Sequence, residues 1–145
     1  MIIAVACDHA GFPLKARVIQ EIKNQHHDSL DIGTHSTEPV DYPDYARALS
    51  AYLRHGLAER GILICGSGAG ACVAANRFVN VRAATCHDLF SARQGVEDDG
   101  INVLCLGARV IGPELAAELV RAFLGAKFSN VERHCRRVAM SSGLQ

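Results

Sequence analysis

Three polar turns interrupt the apolar runs of this chain, and each offers groups that can move a proton or hold an anion. Cys7-Asp8-His9-Ala10-Gly11 sets a thiol, a carboxylate and an imidazole in succession. Cys65-Gly66-Ser67-Gly68-Ala69-Gly70 joins a thiol and a hydroxyl to glycines at alternate positions. Cys86-His87-Asp88 brings a further thiol, imidazole and carboxylate. The glycine segment is the most informative. Alternate glycines let the backbone turn tightly and approach a ligand. A helix predicted to open there, over Ala71–Phe78, adds free amides and the positive end of its dipole. Such a nest stabilises a phosphate, or an oxyanion that develops during reaction. The G-x-G-x-G spacing lacks the Gly-Lys-Ser/Thr of a P-loop and differs from the G-x-G-x-x-G of a dinucleotide site. A strand-to-helix turn of no chemical use has the same composition.

Cys65 gains interest from its place. A thiol beside a helix N-terminus can be partly ionised near neutral pH; a buried, inert cysteine is the competing reading. A nucleophilic thiol would want an imidazole, which His9 or His87 could supply. Cys72 and Cys105 lie within apolar runs and read as inert. Asp8-His9 reads as a pair of ligand contacts or as a helix-capping pair. Asp41-Tyr42-Pro43 reads first as an N-cap and helix start. Arg133 and Arg137, four apart in RHCRR, share one helical face. Two guanidinium groups there make either a phosphate clamp or a solvated basic face.

The elements that must position these turns alternate in type. Short apolar runs at Ile2–Ala6, Leu30–Ile32, Ile62–Cys65, Val81–Thr85 and Val103–Leu106 suit parallel strands covered on both faces. Between them lie amphipathic stripes: Leu14, Val18 and Ile22; Tyr45, Leu49, Tyr52 and Leu53; Leu115, Leu119, Val120 and Phe123. Pro13, Pro43 and Pro113 each stand where a first helical turn would begin, and Gly125 follows the third stripe as a stop signal. A last helix, about 130–141, frays from Ser141. Alternation of this kind predicts an α/β, three-layer, doubly wound fold on a five-stranded, mainly parallel sheet. Ligands in such folds bind beyond the C-terminal ends of the strands, where the three polar turns fall.

The bulk numbers bound the function. The chain has 145 residues, 49% hydrophobic and 21% charged, and is read as one domain over 1–145. Fifteen basic residues balance 15 acidic ones, so no field draws it to nucleic acid or an anionic membrane. The start, MIIAVACDHAGF, has no basic n-region and is not expected to be a signal peptide. No apolar run approaches the roughly 20 residues that span a bilayer. Six cysteines form no C-x-x-C pair. They read as free thiols of a reducing cytoplasm, neither a disulfide framework nor a zinc site, and no metal or cofactor is expected.

Together these features resemble the family of ribose-5-phosphate isomerase B and the galactose-6-phosphate isomerase subunits. The resemblance is carried by CDHAGFPLK at 7–15, DYPDYA at 41–46, GILICGSGAGACVAANR at 61–77, SAR at 91–93, NVLCLGARVIG at 102–112 and RHCRRV at 133–138. It implies a Rossmann-like domain that dimerises, with sites shared between subunits and with the last helix packing on or across the dimer; dimers can pair into tetramers. It implies cofactor-free interconversion of an aldose and a ketose phosphate. Carried over by position, Cys65 is the base that moves a proton between two carbons, and Ser67 helps exchange protons between the substrate oxygens. The amides of Gly66, Gly68 and Gly70 hold the enediolate oxygen. Asp8, His9, Tyr42 and Asp99 line the sugar site, and Arg133 and Arg137, with Arg109 and His9, grip the phosphate.

One departure bears on the substrate. Aligned on Asn102-Val103-Leu104, this chain has Asp98-Asp99 where the family's pentose isomerases carry His-Asn. That histidine opens the sugar ring, and a carboxylate is a poor proton donor at neutral pH. Asp98 could act instead as a base, His87 could take over, or the substrate needs no ring opening. The last holds for a tetrose 4-phosphate, whose O4 is esterified. The competing class is a phosphate-binding regulatory module on the same fold. Glycine spacing and chain length argue against an NAD-dependent oxidoreductase.

Overall fold

The structure, a computed structural model, describes residues 1–144. Its elements run β1 (Ile2–Cys7), α1 (Phe12–Asn24), β2 (Asp28–Gly33), α2 (Tyr42–Arg54), β3 (Arg60–Cys65), α3 (Ala69–Ala75), β4 (Ala83–Thr85), α4 (Leu89–Asp99), β5 (Val103–Gly107), α5 (Pro113–Gly125) and α6 (Glu132–Ser142). The five strands form one sheet in the order β2-β1-β3-β5-β4, every pair parallel. Strand residues alternate between two cores, as a period of two requires. Ile3, Val5, Ile62, Ile64, Leu104 and Leu106 join α1, α4 and α5 on one face. Ala4, Ala6, Leu63, Cys65, Val103 and Cys105 join α2 and α3 on the other. The result is three layers.

The central strands β1, β3 and β5 are covered on both faces, as predicted, but the edge strands are not. Asp28, Leu30 and Asp31 of β2 and Thr85 of β4 are exposed, because the helices stack over the middle of the sheet. Strand β4 is also shorter than its apolar run: Asn102 Oδ1 takes the Arg82 amide at 2.8 Å, ahead of the ladder. Pro13, Pro43 and Pro113 stand in the first turns of α1, α2 and α5. Gly125 is the last residue of α5, whose end is held by Arg60, donating to the carbonyls of Phe123 and Ala126. Leu115 is 38% exposed and lies off the buried stripe of that helix.

Two boundaries shift. Helix α3 begins at Ala69 and stops at Ala75, short of the predicted Phe78, because the Asn76 amide bonds the carbonyls of Cys72 and Ala83 and turns the chain. Helix α6 continues through Ser142. Both terminal serine hydroxyls donate back to the Val138 carbonyl and accept from Arg82 Nη1 at 3.1 and 3.3 Å. Among the described residues no helix is long and apolar enough to cross a membrane.

Candidate active site

The chain leaves β1 outward to β2, then crosses back to β3 on the other side of β1. The switch point therefore lies between β1 and β3, where the following loops part and leave a crevice. Cys7 stands opposite Ile64 in that ladder, so the Asp8-His9 turn and the Cys65–Gly70 turn begin side by side. A cleft of about 480 Å³ opens between them. Asp8, His9, Cys65, Gly66, Ser67 and Gly70 line it, with Tyr42 from α2 and Arg109 from beyond β5.

Each group is fixed by its own local bonds. Cys65 is 5% exposed at the end of β3, and its Sγ accepts from the Gly68 N–H at 3.1 Å. Gly68 caps α3 with φ of +84°, a left-handed conformation that disfavours any side chain. A Cβ at Gly70 would come within 2.8 Å of the Tyr42 ring, so the phenol seats against bare backbone. Ser67 is exposed, and its Oγ accepts from the Ala69 N–H at 3.2 Å. The buried Asp8 carboxylate accepts from the Gly11 N–H at 2.9 Å and so opens α1. His9 Nδ1 accepts from the Val40 N–H at 3.1 Å. A nitrogen that accepts carries no proton, so the neutral ring holds its proton on Nε2. Arg109 is tied by its backbone N–H to the Gly66 carbonyl at 3.0 Å. Its guanidinium packs over Gly66 and has no carboxylate partner among the described residues.

The remaining predicted site residues lie outside this cleft. His87 Nε2 accepts from the Gly107 N–H at 3.0 Å, and burial holds its imidazole below the ordinary value. Asp98 Oδ2 accepts from Gln94 at 2.9 Å, and its Oδ1 lies 3.4 Å from His134 Nδ1. His134 is the buried side chain of α6 and also meets Ser129 Oγ at 2.7 Å. Asp99 is exposed; its carbonyl accepts from Arg82 Nε. Arg133 and Arg137 are exposed on α6, with no carboxylate partner among the described residues. Sequence reasoning missed Val40, whose amide sets the His9 tautomer, because a backbone donor leaves no side-chain signal.

The cysteines separate by environment. Burial pushes Cys7 and Cys86 up to about 11. Cys72, read as inert, is half-buried, with its Sγ donating to the Ala83 carbonyl at 3.4 Å; the neighbouring Cys105 thiol draws it down to about 6 and is itself raised. Its flank beside the thin β4 edge leaves it less covered than its apolar run suggests. Among the described residues no group of three or more His, Cys, Asp or Glu stands together to hold a metal ion.

Amides, a thiol, an imidazole and a guanidinium line a cleft at the switch point of this α/β protein's doubly wound parallel sheet, the place where such folds hold small molecules. Comparison with known proteins narrows the class. The profile of the Ribose/Galactose Isomerase family matches residues 3–141. Ribose-5-phosphate isomerase B of Escherichia coli K12 is 39% identical over 143 residues, covering 99% of this chain and 95% of that protein. D-erythrulose-4-phosphate isomerase of Pectobacterium atrosepticum is 39% identical over 130 residues, 87% of this chain and 84% of that one. The crystal structure of a ribose 5-phosphate isomerase from Thermotoga maritima superposes with a TM-score of 0.94 at 40% identity, over 99% of this chain and 98% of that one. The chain belongs to the Ribose/Galactose Isomerase family.

Proposed function

We propose that this protein interconverts ribose 5-phosphate and ribulose 5-phosphate through an enediolate, with Cys65 as the base. The observation that carries this reading is the Cys65 sulfur at the cleft floor, beside the glycine nest and the Gly68 amide. A proton next to a carbonyl is weakly acidic. Its removal needs a positioned base and donors aimed at the oxygen that becomes negative. Cys65 takes the proton from C2 of the aldose and returns it to C1. Ser67 exchanges the hydroxyl protons, and the backbone at Gly66, Gly68 and Gly70 receives the enediolate oxygen. Asp8, His9 and Tyr42 hold the sugar.

The phosphate goes to Arg109 and His9, with Arg133 and Arg137 supplied by a second copy of the chain. Helix α6 supports that assembly: it buries only His134 on its own subunit and leaves both arginines exposed. The reading is thus of a single isomerase domain that works as a cytoplasmic homodimer or a pair of dimers, without metal or cofactor.

A second reading concerns the sugar. Asp98 is engaged by Gln94 and His134, and His87 by the Gly107 amide. Neither is disposed to open a furanose, which favours an open-chain tetrose 4-phosphate. Initial rates on ribose 5-phosphate, erythrulose 4-phosphate and a hexose 6-phosphate decide among them. Better kcat/KM on the pentose retires the tetrose reading. Phosphate binding without turnover on any of the three leaves only a binding module.

A further inference from the structure

We infer that Lys15 is a positioning residue for the cleft: its buried ammonium ties down the start of the 34–41 loop, whose far end holds His9 in one tautomer and seats Tyr42. Lys15 stands on α1 and is 5% exposed. Its Nζ donates to Asp31 Oδ1 at 2.9 Å, to the Thr34 carbonyl at 2.6 Å and to His35 Nδ1 at 3.2 Å. An ammonium has three donors, and all three are used. The group is therefore not offered to a phosphate, although it sits in the same CDHAGFPLK segment as Asp8 and His9.

A buried charge is an expensive way to fill space; an apolar side chain would pack there at lower cost. What the ammonium provides is a fixed point. Thr34 is bonded to β1 as well, its amide donating to the Cys7 carbonyl and its carbonyl accepting from Cys7 Sγ at 3.6 Å. Residues 35–39 beyond it are exposed, held within the loop by a Ser36–Glu38 bond. The loop next engages the protein at Val40, whose N–H fixes His9 Nδ1. Two residues later Tyr42 begins α2 and lays its ring against Gly70. The loop is thus pinned at its two ends, and Lys15 holds the end remote from the cleft.

The test uses the full protein with 15N-labelled histidine, at a pH well above the imidazole range. The His9 signals, assigned by their loss in His9→Gln, should report a single Nε2–H form. In Lys15→Met they should shift toward a mixture of tautomers. KM for ribose 5-phosphate should rise roughly tenfold or more, since small misplacements at a binding site are costly, while kcat changes less. If Lys15→Met does not fold, Lys15→Gln, which removes the charge and shortens the reach to the Thr34 carbonyl while keeping a polar head, gives the same two readouts. A His9 ring that stays in one form, or a KM that stays put, overturns the inference whatever happens to the melting temperature. The KM readout rests on the sugar-phosphate reading of the cleft. The tautomer does not, so a protein without turnover on the sugar would fail the first and still decide the second.

Discussion

At the β1–β3 switch point, Cys65, Ser67, His9 and Arg109 face one cleft. On the α4–α6 flank, Asp98, His134 and Ser129 face one another. Both regions are rich in ionisable groups, yet only the first leaves them directed at empty space. In the cleft the backbone does the holding: Gly68, Val40, Gly11 and Ala69 donate their amides to side chains that line it. On the flank the side chains hold each other, and what they hold in place is a helix. The contrast teaches that a polar cluster is read by its unsatisfied directions, not by its composition. On the proposed reading it also separates proton transfer and sugar contact at the switch point from the α6 arginines that a second copy of the chain supplies.

The contrast breaks most sharply at Cys65. Cys65→Ala should lower kcat by about 10³-fold, within the range general base catalysis supplies. Binding of inorganic phosphate, followed by titration calorimetry, should stay nearly unchanged. Turnover within tenfold of the parent would place the proton transfer elsewhere. Next comes the flank. A charge-assisted contact contributes about 1.5–3 kcal/mol, so Arg133→Ala or Arg137→Ala should raise KM about ten- to hundredfold with kcat largely kept. An unchanged KM would leave α6 with a merely solvated basic face.

Gly70→Ala tests the seat of Tyr42. The new methyl must displace the ring, and kcat/KM should fall about tenfold; a smaller loss means that the phenol does not touch the sugar. Asp98→Asn should do least. The pair with His134 is partly exposed, and such pairs contribute at most about 1 kcal/mol. Rates on ribose 5-phosphate and erythrulose 4-phosphate should change together, within about fivefold. A loss confined to the pentose would make Asp98 the ring-opening group after all. Finally, alkylation near neutral pH should mark Cys72 well before Cys7 or Cys86, since its thiolate forms through about 6 and theirs near 11. Equal labelling would put the Cys72 proton back on sulfur.

Much of the architecture was legible because it rests on local rules. Apolar runs gave the central strands, and prolines marked three helix starts. The glycine nest and the two turns flanking the switch point were legible because residue type alone restricts the backbone there. Other features depend on neighbours distant in sequence. The exposure of β2 and β4 follows from strand order, which no run of residues encodes. The ends of α3 and α6 are set by Asn76 and Arg82, reaching across to other elements. Lys15 was half visible: it is three residues before Val18 and seven before Ile22, on the buried stripe of α1. A lysine there asks for a partner, but Asp31 and Thr34 come from another strand and loop.

The strand order has one further consequence. Apart from Arg109 and Val110, the cleft is built from residues 8–70, whereas α4 and α6 lie entirely in the second half of the chain. Substitutions on α4 and α6 therefore fall away from the cleft lining, which meets the second half of the chain at Thr85, Ala108 and Arg109. On the proposed reading, a lineage that exchanges one sugar phosphate for another can do so by editing α4 or α6 while the lining of the β1–β3 cleft stays as it is.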